Sequence, residues 1–118
     1  MLDVKKLLAK LLKQPHIVDH GVGNGVYWYK LSDGTMYCLG RTSFDGSVGY
    51  FTHNFPVAFK AGTNVKSVAT VEYISGTVVG VVSNAPSTTM MVGYVRNVNG
   101  QNISSNIKVE WMVWGEWK

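Results

Sequence analysis

The sequence predicts an all-β domain preceded by a short amphipathic helix, with the β part folded as an antiparallel sandwich head. Residues 4–12 repeat apolar side chains at helical spacings of three and four, and Pro15 ends that pattern. Beyond it, short apolar runs alternate with turn residues about every ten positions, as in sandwiches and barrels. The chain has 118 residues, enough for one core. We therefore assign 1–15 to an oligomerisation helix and 16–118 to a β-sandwich head.

The helix begins after Asp3, a possible N-cap, and carries its lysines mainly outside the apolar face. About eleven residues are too few for a stable isolated helix in water, so this segment needs a partner. Heptad spacing favours a parallel bundle, of three chains in preference to two. Two alternatives are packing on the chain's own β domain and a basic amphipathic anchor on a membrane surface. The oligomerisation seam consists of Val4, Leu7, Leu8 and Leu11.

Eight strands follow, divided by dipeptides in which Gly comes after Asp, Ser or Asn, a typical tight-turn chemistry. Pro56 cannot sit in a central strand, so its segment should cross between sheets or follow an edge. Residues 21–25 are rich in glycine and indicate a flexible loop. The predicted strands cover 16–20, 26–31, 36–41, 48–53, 65–74, 77–82, 90–98 and 103–114. The turn dipeptides are Asp33-Gly34, Asp45-Gly46, Ser75-Gly76 and Asn99-Gly100.

The last strand alternates cleanly, with Ile107, Val109, Trp111 and Val113 on one side and charged residues on the other. Trp114 and Trp117 then break the polar side of the alternation. Large aromatics there indicate a covered or ligand-binding surface, or a sheet end that is buried on both faces.

Three segments, in order, resemble the C-terminal domain of phage and prophage tail fibres. Tyr29-Lys-Leu-Ser-Asp-Gly-Thr-Met-Tyr-Cys-Leu-Gly40 resembles that family's aromatic-basic hairpin. Asn54-Phe-Pro-Val-Ala-Phe-Lys60 resembles its Phe-Pro-x-x-Phe crossover. Val109-Glu-Trp-Met-Val-Trp-Gly-Glu-Trp117 resembles its closing strand. Leu31 and Leu39 stand where members often carry Trp, and Glu116 where a basic residue is common.

The resemblance implies a homotrimeric head that follows a fibrous shaft and attaches a virion to a bacterial surface glycan or other receptor. It places the chain at a tail-fibre tip, in a virion or a phage-tail-like particle. The start of the chain lacks the continuous apolar segment of a secretory signal, so we expect synthesis in the bacterial cytoplasm without one. The alternative is a structural cap or trimerisation module that binds no receptor.

The residue types favour binding over catalysis. Seven acids are scattered without a clustered pair, so we expect no enzyme, with a polysaccharide depolymerase as the third hypothesis, and no cofactor. His16 and His20 would lie about 13 Å apart on a strand, too far for one metal ion, although histidines of three copies could meet on an axis. The net charge of +4 comes mainly from lysines before residue 31, which argues against nucleic acid. Polar residues interrupt 73–95, so we expect no membrane insertion.

Glycan recognition uses aromatic faces together with amides and charged groups, and two regions concentrate such residues. One is the loop 84–89 and the other is the end of the strand near residue 96. The candidate receptor or glycan-binding residues are Asn84, Thr88, Tyr94, Arg96, Asn97, Asn99, Asn102 and Trp114.

Overall fold

The structure, a computed structural model, describes residues 3–72, 79–83, 85–97 and 99–118. It contains one short helix and eight strands in these ranges, as the sequence predicts. The elements are α1 (Val4–Lys13), β1 (Ile17–Gly23), β2 (Val26–Leu31), β3 (Thr35–Asp45), β4 (Tyr50–Asn54), β5 (Lys66–Val71), β6 (Val79–Ser83), β7 (Met90–Asn97) and β8 (Asn106–Glu116).

The strands form two antiparallel sheets, which confirms the predicted all-β class with a short N-terminal helix. The larger sheet has the order β1-β2-β3-β8-β5 and the smaller has the order β4-β7-β6. Only β1, β2 and β3 follow one another as a meander. From β3 onward the chain passes back and forth between the sheets, because β4, β6 and β7 belong to the smaller sheet and β5 and β8 to the larger one.

The turn chemistry predicts where strands end better than it predicts which strands pair. Asp33-Gly34 joins the paired strands β2 and β3, as expected. Asp45-Gly46 and Asn99-Gly100 instead link strands of different sheets, so the tight-hairpin prediction is wrong for both. A dipeptide determines the local bend, while packing of the flanking apolar residues decides the partner strand. Ser75-Gly76 lies outside the described residues.

A hairpin also replaces the flexible loop predicted for 21–25. Residues 21–23 belong to β1, and Gly23 pairs with Val26 of β2 across a two-residue turn. The turn consists of Asn24 and Gly25, whose φ angles are 51° and 73°. Positive φ at both positions is what the common two-residue hairpin requires, and Asn-Gly is the sequence that adopts it most readily.

The core lies between the two sheets and includes the buried side of β8. Ile107, Val109 and Val113 are fully buried and Trp111 nearly so, which confirms the alternation predicted for the last strand. Cys38 is buried beside them, and this burial raises the pKa of its thiol to about 12. The cysteine is thus a small buried apolar residue, as the sequence indicates.

The segment between β4 and β5 crosses from the smaller sheet to the larger one, as the proline in it predicts. Phe55 and Phe59 anchor the crossing in the core, with ring centroids 5.4 Å apart. The Phe59 amide donates to the Thr88 carbonyl, and the Lys60 amide donates to the Glu116 carbonyl at 2.8 Å. The crossover therefore contacts both sheets at the same end of the sandwich.

Helix α1 extends away from the sandwich. Val4, Leu7 and Leu8 are 68%, 40% and 55% exposed, so the alternative in which the helix packs on its own β domain is wrong for these side chains. The radius of gyration is 18.2 Å, whereas a compact domain of this length has one of about 13 Å. The Leu11 side chain lies outside the described part. No described helix is long and apolar enough to cross a membrane.

Candidate functional site

One face of the five-stranded sheet is largely apolar, and no other described element of the chain covers it. We call it the outer face, because it points away from the smaller sheet. Strand register places its side chains in rows across the sheet, since directly opposed residues share a face. One row is Val22, Tyr27, Leu39, Met112 and Val68, and the next is His20, Tyr29, Tyr37, Trp114 and Lys66. Ile17 and Leu31 lie opposite each other beside the second row.

The outer face exposes a contiguous set of large apolar side chains. Val22 is 62% exposed, Tyr27 and Val68 are each 53%, and Leu39 is 39%. At about 4.8 Å between strands and 6.7 Å between rows, the two full rows across five strands cover roughly 24 by 13 Å, and Ile17 and Leu31 extend this area on β1 and β2. Monomers rarely expose a contiguous apolar patch above a few hundred Å². An open depression of about 330 Å³ in this face is lined by Ile17, Tyr29, Leu31, Tyr37, Leu39 and Met112.

The outer face carries charged side chains at its end farthest from the helix. Arg41 lies opposite Glu110 in the register, and its guanidinium forms an ion pair with Glu72 at 2.5 Å. Both partners are partly exposed, so we expect this pair to add little stability. The apolar rows are therefore bounded by polar groups on the side away from the helix.

The two ends of the sandwich differ in character. The helix enters at the end that contains the β2–β3 turn, where the Ser32 amide donates to the His16 carbonyl at 2.8 Å. The opposite end, called here the distal end, includes loop 46–49 and residues 99–105, joined by a hydrogen bond from the Gly46 amide to the Ser105 carbonyl. Strand β3 runs between the ends, and its eleven residues span about 33 Å.

Arg96, one of the candidate binding residues predicted from the sequence, makes three contacts at the distal end. Its Nη1 donates to the carbonyl of Gly49 and, at 3.0 Å, to that of Val95. Its guanidinium carbon lies 5.4 Å from the centroid of the Tyr94 ring, within the range of a cation–π contact. Tyr94 in turn lies opposite Tyr50 on β4, with ring centroids 6.4 Å apart. The result is an arginine beside two tyrosines on the outside of the smaller sheet.

Two of the predicted asparagines shape the distal loops. The Asn97 side-chain oxygen accepts from the amides of Asn99 and Gln101, both at 2.9 Å. The Asn102 amide group donates to the Ser47 carbonyl at 3.0 Å, which ties the two loops together. These asparagines therefore hold the backbone. Asn99 is exposed, and no hydrogen bond of its side chain occurs within the described part of the chain.

The other candidates lie elsewhere. Thr88 is at the helix end of the sandwich, next to the crossover, and Trp114 is on the outer face. Asn84 lies outside the described residues. The structure thus brings together Tyr94, Arg96, Asn97, Asn99 and Asn102, and separates Thr88 and Trp114 from them.

The histidines do not form a metal site within the described part of the chain, where no group of three potential ligands occurs. His53 instead completes a hydrogen-bond chain between the sheets. Its Nδ1 lies 2.8 Å from the Thr42 hydroxyl and its Nε2 lies 2.7 Å from the Asn24 carbonyl. The Trp111 indole donates to the same hydroxyl at 2.9 Å.

Sequence reasoning missed Tyr50 and most of the outer face. The signal for the outer face is present in Tyr27-Trp28-Tyr29, where three aromatics in a row leave neither side of a strand polar. Trp28 packs against the core, so Tyr27 and Tyr29 point outward. Tyr50 has no comparable local signal, because its importance comes from its cross-strand neighbour.

Comparison with solved structures identifies tail fibres with this fold. A C-terminal fragment of the R2 pyocin fibre of P. aeruginosa matches with a TM-score of 0.60 and 16% identity, over 98% of this chain and 30% of that chain. An N-truncated R2-type pyocin tail fibre gives 0.59 and 17%, over 98% and 52%. An N-truncated R1-type pyocin tail fibre gives 0.64 and 18%, over 98% of each chain. No family model and no curated protein sequence matches the chain. The fold predicted from the tail-fibre resemblance is confirmed.

Proposed function

We propose that this chain is the receptor-binding tip of a tail fibre, in a virion or a phage-tail-like particle, and that it attaches as a homotrimer to a polysaccharide or other receptor on a bacterial surface. The structural neighbours are pyocin tail fibres by name, which supports the tail-fibre part. The observation that carries the proposal is the division of the molecule into two parts. The apolar side of the helix and the outer face are suited to assembly, and the polar distal end lies about 33 Å away.

Assembly is supported by two apolar surfaces that the chain leaves uncovered. A helix of ten residues is unstable alone, and Leu7 and Leu8 of this helix are exposed. The outer face begins at Ile17, four residues after the helix ends at Lys13. A single threefold axis can therefore bring three helices together in a bundle and turn three outer faces inward. Specific interfaces bury about 800 Å² per partner, so a stable trimer would have to use both surfaces together.

Receptor binding fits the distal end because this end points away from the helix bundle in such a trimer. The smaller sheet, with Tyr50, Tyr94 and Arg96, would form the outside of the assembly. Three weak sites on one axis bind a repetitive surface with much higher avidity than one site. This function needs no nucleophile and no cofactor, so we propose a binding protein and not an enzyme.

The test combines molar mass and adsorption on the intact chain. Light scattering should give about 39 kDa, three times the 13.0 kDa of one chain. The labelled protein should adsorb saturably to the envelopes of a susceptible strain within a panel of bacteria. A monomer at micromolar concentration would overturn the assembly model. A trimer that adsorbs to no envelope would favour a structural cap, and shortening of a host polysaccharide would favour a depolymerase.

A further inference from the structure

We propose that Arg96 is the anchor of an anion subsite at the distal end, which takes a carboxylate or phosphate group carried by a surface glycan. The inference rests on the proposed receptor-binding function and adds the chemical class of the ligand. It follows from the way the guanidinium is held and from the donors that have no acceptor among the described residues.

Within the described residues, the hydrogen bonds of Arg96 come from one nitrogen of the guanidinium. The group has five N–H donors, and the two on Nη1 go to the carbonyls of Gly49 and Val95. The two on Nη2 and the one on Nε have no acceptor within the described residues. Nη2 and Nε together form the fork that binds a carboxylate or phosphate through two parallel hydrogen bonds.

The charge of Arg96 has no protein counter-ion in the described part of the chain. The ion pair found there joins Arg41 to Glu72 at the edge of the outer face. Asp45 is the acid closest to the distal loops, and its carboxylate accepts from the Ser47 amide at 2.9 Å and the Ser47 hydroxyl at 2.8 Å. These hydrogen bonds lower the pKa of Asp45 and tie its carboxylate to its own turn.

The side chain is also held by contacts within the protein before any ligand arrives. Two backbone carbonyls and the Tyr94 ring fix the guanidinium, so binding would cost less side-chain entropy than it does for a free surface arginine. Space beside Gly49 is limited, because a Cβ built there would lie 2.7 Å from Arg96 Nη1. Gly49 has φ +84°, a conformation that suits glycine and lets its carbonyl reach the arginine.

The neighbouring groups match the rest of a sugar. Tyr50 is 52% exposed and offers a ring face and a hydroxyl beside Tyr94. Asn99 is exposed on the adjacent loop and offers an amide. A charged sugar can therefore place its anion on the arginine fork, its ring CH groups on a tyrosine and its hydroxyls near the amide. A neutral sugar would leave the fork unpaired.

The experiment titrates the intact ¹⁵N-labelled protein with D-glucuronate, D-glucose 6-phosphate and D-glucose, and follows the Arg96 Nε–H signal by NMR. We expect one or both charged sugars to shift this signal saturably, while glucose at the same concentration does not. A shift with glucuronate alone identifies a carboxylate site, and one with glucose 6-phosphate alone identifies a phosphate site. No shift with either, or an equal shift with glucose, overturns the inference.

Two variants distinguish bidentate binding by the guanidinium fork from simple attraction to a positive charge. Arg96→Lys keeps the positive charge but loses the planar fork, and should weaken binding of the charged sugar at least tenfold, about 1.4 kcal/mol. Lys60→Gln removes one positive charge at the opposite end of the sandwich and should leave binding unchanged. Equal binding by wild type and Arg96→Lys would contradict the fork. If the protein adsorbs to bacterial envelopes but responds equally to charged and neutral sugars, the anion subsite is rejected and the attachment function still stands.

Discussion

The substitution Leu39→Asp should prevent assembly of this protein. Leu39 lies near the middle of the outer face, between Tyr27 and Met112 in its row. It is 39% exposed, which corresponds to roughly 70 Å² of apolar surface and about 1.8 kcal/mol per copy at about 25 cal/mol per Å². Burying an aspartate there adds a desolvation cost of several kcal/mol per ion. Over three copies the loss exceeds about 5 kcal/mol from the lost apolar burial alone.

The assay is molar mass by light scattering at matched micromolar concentration. Wild type should give about 39 kDa and Leu39→Asp should give the 13.0 kDa of a single chain. Val48→Asp is the matched control, because Val48 is 52% exposed but lies in a distal loop. Circular dichroism should show that both variants keep their strands. If Leu39→Asp has the wild-type mass, the outer face is not shared between copies and the reasoning fails.

Three further predictions concern the single chain. Thr42→Val removes the acceptor of the buried Trp111 indole and should lower the free energy of unfolding in urea by about 1–3 kcal/mol, whereas Thr52→Val on the exposed side of β4 should change it by less than about 0.5 kcal/mol. Cys38, with a pKa of about 12 and no exposure, should resist a thiol reagent at pH 8 until urea unfolds the chain. Asp45 has a lowered pKa, so its contribution to stability is full above its ordinary value of 3.8 and is lost as the pH falls through the native value. Acid unfolding of Asp45→Asn should therefore depend less on pH in that range than wild type does.

The sequence predicts the number of strands and their approximate positions along the chain, because the strand ends coincide with residues that bend the chain. It predicts strand lengths less well where polar residues continue a strand. Strand β3 reaches Asp45, four residues beyond the predicted end, because Arg41 and Ser43 point outward while Thr42 and Phe44 pack inward. A run of polar residues can alternate between faces without an apolar pattern to reveal it.

The candidate site could be predicted only in part. Arg96 stands out in the sequence as a charge at the end of an apolar strand, and the structure confirms that it lies beside Tyr94. Its contact with the Gly49 carbonyl joins residues 47 positions apart, which no local pattern specifies. The same holds for Tyr50, which meets Tyr94 only because β4 and β7 pair. Non-local pairing is therefore what assembles the distal residues into one place.

The uncovered outer face follows from the way eight strands divide between two sheets. Five strands form a sheet with two broad faces, and the three remaining strands cover only one of them. In most antiparallel sheets, polar residues on the second face allow a monomer to expose that face to water. Here β2 and β8 place Tyr27, Tyr29, Met112 and Trp114 on that face instead. Since α1 extends away from the sandwich and leaves Leu7 and Leu8 exposed, the described part of the chain supplies no cover. In the proposed trimer, further copies of the chain would bring a matching apolar face and a matching helix.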